Sequence, residues 1–279
     1  MNEAWTIPQT IDWSITDQAR KSWDHRVPYY LRFRDHFASM IEAGMLAAGN
    51  KLPPERVLAE KFSITRVTVR QALSRMEAEG LIFREERRGW FVSPPRIRYD
   101  PTANTSFTES IAEQGRVAGT SVLSKQQIAA SQWESAHLGC AMGDLIYAIS
   151  RLRTVDGRAV LVEQIHIKAE RCPGLLDFPL DQSMTDLLSQ EYGIIEHRTQ
   201  INMRPTALSE VPAKALGVSV GTPSLYLSRA NLDQYDVVVE FDQEFWRHDA
   251  IDICVSVAGR SDDSEKTARN IAKGTNNGA

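Results

Sequence analysis

The chain has 279 residues, 42% of them hydrophobic, and a formal charge of −4. That length suits two domains, and no apolar run approaches the length of a membrane-spanning helix. Three widely spaced cysteines without a CxxC pair argue against a disulfide framework or a zinc site and fit a reducing compartment. The opening MNEAWTIPQTIDW carries acidic residues and no hydrophobic segment, so no signal peptide is expected and the cytoplasm is the expected location. Charge is spread unevenly. Residues 27–98 hold 13 Lys and Arg against 8 Asp and Glu, whereas the remainder holds 19 against 28. A basic head on an acidic body suits a protein that meets phosphates with one end only.

Residues 1–27 form a polar leader punctuated by Trp5, Trp13 and Trp23, read as a partly ordered arm against the first domain. A helix is expected over 29–43, offering Leu31, Phe37, Met40 and Ile41 to a core. A short helix carrying Glu55, Arg56, Leu58, Ala59 and Phe62 follows, then a tight turn at Ser63, Ile64 and Thr65. In the next helix, over 66–79, Val69, Ala72, Leu73 and Met76 form an i, i+3, i+4, i+7 apolar stripe. Arg66, Arg70, Gln71 and Ser74 fall on the opposite arc, where a helix in the major groove presents donors to base edges and phosphates. Two short strands, 81–84 and 89–92, flank a basic tip at Arg87 and Arg88. Together these features predict a winged helix-turn-helix over 28–93. The plainer alternative is a helical hairpin with a solvated basic face, where Arg75, Arg84 and Arg96 pair with Glu77, Glu79 or Glu85.

Pro94, Pro95 and Pro101 make 94–103 a short, stiff linker. Beyond it, helical patches at 106–114, 131–138, 183–192 and 210–216 alternate with strand-like runs at 145–153, 159–167, 194–203, 224–232 and 237–246. Asp156-Gly157 supplies a hairpin turn. This pattern predicts an α+β domain on an antiparallel sheet over 104–257, followed by a polar tail at 258–279 expected to be disordered. Six scattered histidines, with no HExxH, Walker loop or GxGxxG, give no support to an enzyme or a cofactor. Arg151 and Arg153 stand at i and i+2 of a strand and so share a face. Such a pair suits a carboxylate, phosphate or phosphonate; it equally suits salt bridges across a solvated sheet, and the residues alone leave both readings open.

The strings LPPERVLAEKF, SITRVTVRQAL and EGLIFREERRGWFV closely resemble the GntR-type winged helix. That resemblance implies that Arg56, Arg66 and Arg70 contact operator DNA, with Thr65 and Thr68 at phosphates or bases and Gly89 at the minor groove. Three positions depart from the pattern: Pro54 for a serine, Arg87 for the first wing glycine and Trp90 for a threonine. Further on, SFTESIAEQGR, LGCAMGDLIYAISRLRTVDGRAVLVEQ, QEYG, KALGVSVGTPSLYLSR and EFDQEFWRHD resemble the effector-binding UTRA domain of the HutC branch, whose fold is similar to chorismate lyase. By this resemblance Ser106, Arg151, Arg153, Ser183 and Thr185 hold the anionic group of a small effector. Glu163 and Glu240 accept from hydroxyls or an amine, and Trp246 replaces the usual tyrosine.

The implied protein is a homodimeric, ligand-responsive regulator, a repressor in most such relatives, that binds double-stranded operator DNA and no membrane. The phrases RGWFVSPPRIRYDP and DQEFWRHDAI resemble those of phosphonate-utilisation regulators, which implies an aminophosphonate effector. Sugar phosphates, amino sugar phosphates and histidine-pathway acids stay open at this stage. Two rivals remain: an enzyme anchored by the winged helix, and a module that uses the winged helix to bind protein.

Overall fold

The computed structural model describes residues 26–85, 88–103 and 105–256. The expectations for the leader, for Arg87 at the wing tip and for the C-terminal tail lie outside them.

Helices α1 (Tyr29–Glu42), α2 (Glu55–Phe62) and α3 (Arg66–Ala78) pack around Phe33, Phe37, Leu58, Phe62, Val69, Leu73 and Met76. The strands β1 (Ile82–Glu85) and β2 (Gly89–Val92) close this core with Ile82, Trp90 and Val92. The predicted stripe Val69, Ala72, Leu73 and Met76 is wholly buried. The turn between α2 and α3 is sharp because Ser63 caps α2 in the left-handed region (φ 53). Thr65 then opens α3 by accepting the Thr68 N–H on its hydroxyl, a cap that satisfies one of the helix's free amides. Gly89 begins β2 at φ 108, a backbone state that favours glycine.

The second body contains α4 (Phe107–Glu113), β4 (Ala118–Ala129), α5 (Gln132–Leu138), β5 (Leu145–Val155), β6 (Arg158–Lys168), α6 (Met184–Tyr192), β7 (Arg198–Ala207), α7 (Glu210–Leu216), β8 (Pro223–Leu232) and β9 (Val238–Arg247). Its six strands form one antiparallel sheet in the order β4-β5-β6-β9-β8-β7. Asp156 and Gly157, both at positive φ, turn β5 into β6, as a two-residue hairpin requires. One face of the sheet carries α7, whose Ala213 and Leu216 pack with Val162 and Leu208, and α5, whose Leu138 packs with Ile146 and Phe241. The other face carries two separate apolar clusters. Ile165, Ile167 and Leu175 pack with Met184 and Leu187 of α6, while Tyr99, Leu161, Leu227 and Trp246 pack with Ile111 of α4. A polar region is left between them.

Two features differ from expectation. Strand β4 is a twelve-residue edge that sequence reading passed over. Its residues are mostly exposed on both faces, so they never acquired the apolar alternation that marks a half-buried strand. The proline-rich segment is also less free than a linker. Within it β3 (Ile97–Tyr99) pairs in parallel with β10 (Ile251–Ile253), burying Ile97 and Ile251. The connection to the basic head is thereby stitched to the end of the effector body.

Candidate functional site

Arg56, Arg66, Arg70 and Gly89 line one concave surface with Arg84 and Trp90, between α2, α3 and the wing. Arg56 pairs with Glu60 at 2.7 Å and Arg70 with Glu55 at 3.0 Å, all on an exposed surface apart from a half-buried Glu55. Exposed pairs of this kind are worth little, so both guanidiniums can exchange their carboxylates for phosphates. Thr65 and Thr68 join hydroxyls at 2.9 Å. Thr65 thus serves α3 as a cap as well as standing where DNA contact is expected. Of the pairings considered for the remaining arginines, Arg75 does bridge to Glu79, Arg84 stacks on Trp90, and Arg96 donates to the Glu79 carbonyl.

The second site follows from strand register. Alternate residues of a strand share a face, and in the sheet Arg151 opposes Glu163, which opposes Glu244. Arg153 opposes Leu161, which opposes Trp246. Asp242 opposes Arg229, and Glu240 opposes Asn231. These rows fill the gap between the two apolar clusters and floor a cavity of about 640 Å³. Ser106, Arg151, Arg153, Glu163, Ser183, Thr185, Glu240 and Trp246 all line it. So do Asp242, Glu244, Arg229, Glu196, Tyr99 and Phe107, which sequence reading did not single out. A signal for two of them was present: in EFDQE, positions 240, 242 and 244 share one face of any strand.

Arg151 is 1% exposed and makes a bidentate pair with Glu163, at 2.9 and 3.0 Å, while donating also to the carbonyls of Leu180 and Gln182. Arg153 donates to the same carboxylate at 2.9 Å and to Thr120 at 2.7 Å, and stacks on Phe107. The arginines therefore do form salt bridges, but facing a cavity and buried rather than on a solvated surface. Glu163, expected to accept from a ligand, is already shared between them. Burial pushes its carboxyl up, yet Arg153 and Arg151 outweigh that and hold it at about 2. The three hydroxyls are also engaged. Ser106 caps α4 in a reciprocal box with Glu109, Ser183 caps α6, and Thr185 donates to Glu196 at 3.1 Å. The indole of Trp246, wholly buried, donates to Glu244.

Residues 30–92 match the family "Bacterial regulatory proteins, gntR family", and residues 113–252 match the UTRA domain. The transcriptional repressor NagR of Bacillus subtilis (strain 168) is 31% identical over 223 residues, covering 80% of this chain and 92% of its own. The chain belongs to the GntR family, with a UTRA domain. A second relative of this regulator, the repressor PhnF of Mycolicibacterium smegmatis, is 33% identical over 204 residues, spanning 72% of this chain and 82% of its own. The crystal structure of PhnF from Mycobacterium smegmatis superposes with a TM-score of 0.58 at 29% identity, covering 81% of this chain and 99% of that one. The GntR/UTRA regulator is a ligand-responsive DNA-binding protein, not an enzyme, and no helix among the described residues is long and apolar enough to cross a membrane.

Strand β9 links the cavity to the DNA-binding head of this regulator, beside the covalent connection through Tyr99 and β3. β9 places Glu240, Asp242, Glu244 and Trp246 at the cavity, and the residues just beyond reach the head. Arg247 and Arg158 stack on Phe83 of the wing at 5.2 and 4.2 Å, and both pair with Asp249. His248 bridges the Pro223 carbonyl and the Glu77 carbonyl at the end of α3, at 2.9 and 3.0 Å. Trp246 also packs on Tyr99 of β3, 5.0 Å between ring centroids. Contacts from this end of β9 thus reach both the end of α3 and the wing.

Proposed function

We propose that this protein is a homodimeric transcriptional repressor of the HutC type, which holds its operator through Arg56, Thr65, Arg66, Thr68, Arg70 and Gly89 and alters that hold when a small anionic effector enters the UTRA cavity. One winged helix reaches few bases, so two heads reading half-sites about one turn apart are expected. The exposed edge strands β4 and β7 offer unpaired backbone for a second copy.

The observation that carries the effector reading is the meeting, in one cavity, of all eight residues expected there. Arg151 and Arg153 share one carboxylate between two guanidiniums, which leaves this end of the cavity net positive. Arg151 also ties down the segment that leads into α6, whose first-turn residues Ser183, Met184 and Thr185 line the cavity. A helix N-terminus beside buried positive charge favours an anion. A phosphonate is the effector class we favour, supported by the phosphonate-type phrases in the sequence.

The test is a thermal-shift series on the full-length protein with phosphonates, sugar phosphates and small carboxylates, followed by operator binding with each compound that raises the midpoint. A phosphonate that stabilises the protein and changes operator affinity supports the reading. Stabilisation by neutral compounds alone would sink it.

A further inference from the structure

On the outward side of α3 one side chain is apolar. Successive helical residues are turned by about 100°, so the buried stripe Val69, Ala72, Leu73 and Met76 centres on one direction and Val67 points almost directly away from it. Val67 is 75% exposed and takes no part in the core of the head. Around it on the same arc stand Arg66, Arg70, Gln71 and Ser74, all exposed. Arg66 and Arg70 also line the concave basic surface. A valine thus occupies the middle of the face that the two arginines flank.

Single exposed apolar residues are common on protein surfaces and need no explanation by themselves. Two circumstances separate this one from them. Valine is β-branched and a weaker helix former than alanine, lysine or glutamine, so nothing local favours it in the exposed first turn of α3. That turn is also where a recognition helix meets base edges. An isopropyl group has no donor or acceptor. Set against the amino, carbonyl or ring-nitrogen edges of a base pair, it displaces their water and returns no hydrogen bond. The apolar group that the major groove does display is the thymine C5-methyl. The neighbouring Thr68 is less available for that contact, being half-buried with its hydroxyl joined to Thr65 at 2.9 Å.

We propose that Val67 is a specificity-determining residue of the operator contact, packing on the C5-methyl of a thymine between the bases or phosphates reached by Arg66 and Arg70; this rests on the reading of α3 as the helix in the major groove. The labour is divided along one turn. The flanking guanidiniums supply attraction to DNA, and Val67 discriminates against base pairs that present no methyl at that point.

The experiment uses the full-length protein and a duplex it selects from a random pool. Each thymine of that duplex is replaced in turn by uracil, which removes only the methyl. Fluorescence anisotropy then reads the binding of the parent, Val67→Ala and Arg66→Ala. One replacement per half-site should weaken the parent about fourfold, the worth of one buried methyl, and should leave Val67→Ala unaffected. On the intact duplex Val67→Ala should bind about fourfold more weakly with the parental salt dependence, because no charge is lost. It should melt at or above the parental temperature, since alanine favours the helix. A lower melting temperature would place Val67 in the fold rather than at the DNA and overturn the assignment. So would a parent that senses no uracil, or a Val67→Ala that senses each one as the parent does, while Arg66→Ala still weakens binding; α3 would then stay in the groove without this contact. Unchanged operator affinity in both Val67→Ala and Arg66→Ala would take α3 out of the groove and sink both readings.

Discussion

Replacing Glu163 with glutamine tests the hub of the cavity. Its carboxylate takes Arg151 at 2.9 and 3.0 Å and Arg153 at 2.9 and 3.5 Å, in a row of strands with almost no solvent access. Held at about 2 against an ordinary 4.5, the carboxyl owes about 3 kcal/mol of preference for its ionised form to this setting, at about 1.36 kcal/mol per pH unit. Glu163→Gln keeps the shape and removes the charge, leaving two buried guanidiniums without a counter-ion. Losing one partner of a buried ion pair costs about 3–5 kcal/mol, and the two figures agree on a loss of about 3 kcal/mol in the effector body. Urea unfolding at pH 7, with scanning calorimetry to separate the two bodies, measures it. Because the folded-state value is depressed, the stabilisation is present above about pH 4.5 and disappears as pH falls through about 2. Parent and variant should therefore converge in acid. A loss under about 1 kcal/mol at pH 7, or a gap that persists in acid, would refute the claim that Glu163 neutralises both arginines.

Three further outcomes are expected. Arg66→Ala and Arg70→Ala should each cost about 1–3 kcal/mol of operator binding, read by fluorescence anisotropy. Unchanged affinity in both would remove α3 from the major groove. His248→Ala, which frees the end of α3 from the effector body, should leave effector affinity and operator affinity near parental while weakening the effect of one on the other; full coupling would locate the transmission elsewhere. Glu240, raised to about 8 by burial and by repulsion from Glu196 and Glu163, should contribute stability that is complete below about pH 4.5 and is lost as pH rises through about 8. Asp242→Asn, by removing a neighbouring acid, should raise the melting temperature at pH 8 more than at pH 5, and a uniform rise would count against the repulsion.

Much of the head was legible because its signals are local. The stripe through Val69, Ala72, Leu73 and Met76 has helical spacing, and the turn at Ser63, Ile64 and Thr65 ends just before the helix that carries it. In the effector body five of the six strands of the large sheet were visible as strand-like runs, the alternation clearest in β5, as was the Asp156-Gly157 turn. β4 was not: its small and polar residues AGTSVLSKQQIA, mostly exposed, show no apolar alternation. Nor was the pairing of β3 with β10, which depends on contact between segments about 150 residues apart. Arg151 and Arg153 could be placed on one face, but whether that face met solvent or a cavity depended on α4 and α6 lying over it. Asp242 was recoverable from its spacing to Glu240, yet the lack of a hydrogen bond to its Oδ1 is a property of the assembled sheet alone.

The most direct measurement is operator affinity as a function of salt and of effector, using a duplex selected from a random pool and a compound that stabilises the protein. Binding should weaken steeply as salt rises, since phosphate contacts release counterions. A ligand in the cavity should change it by about tenfold or more, a coupling of about 1.4 kcal/mol. Affinity indifferent to salt, or indifferent to a ligand that demonstrably occupies the cavity, would contradict a basic head governed by an effector body.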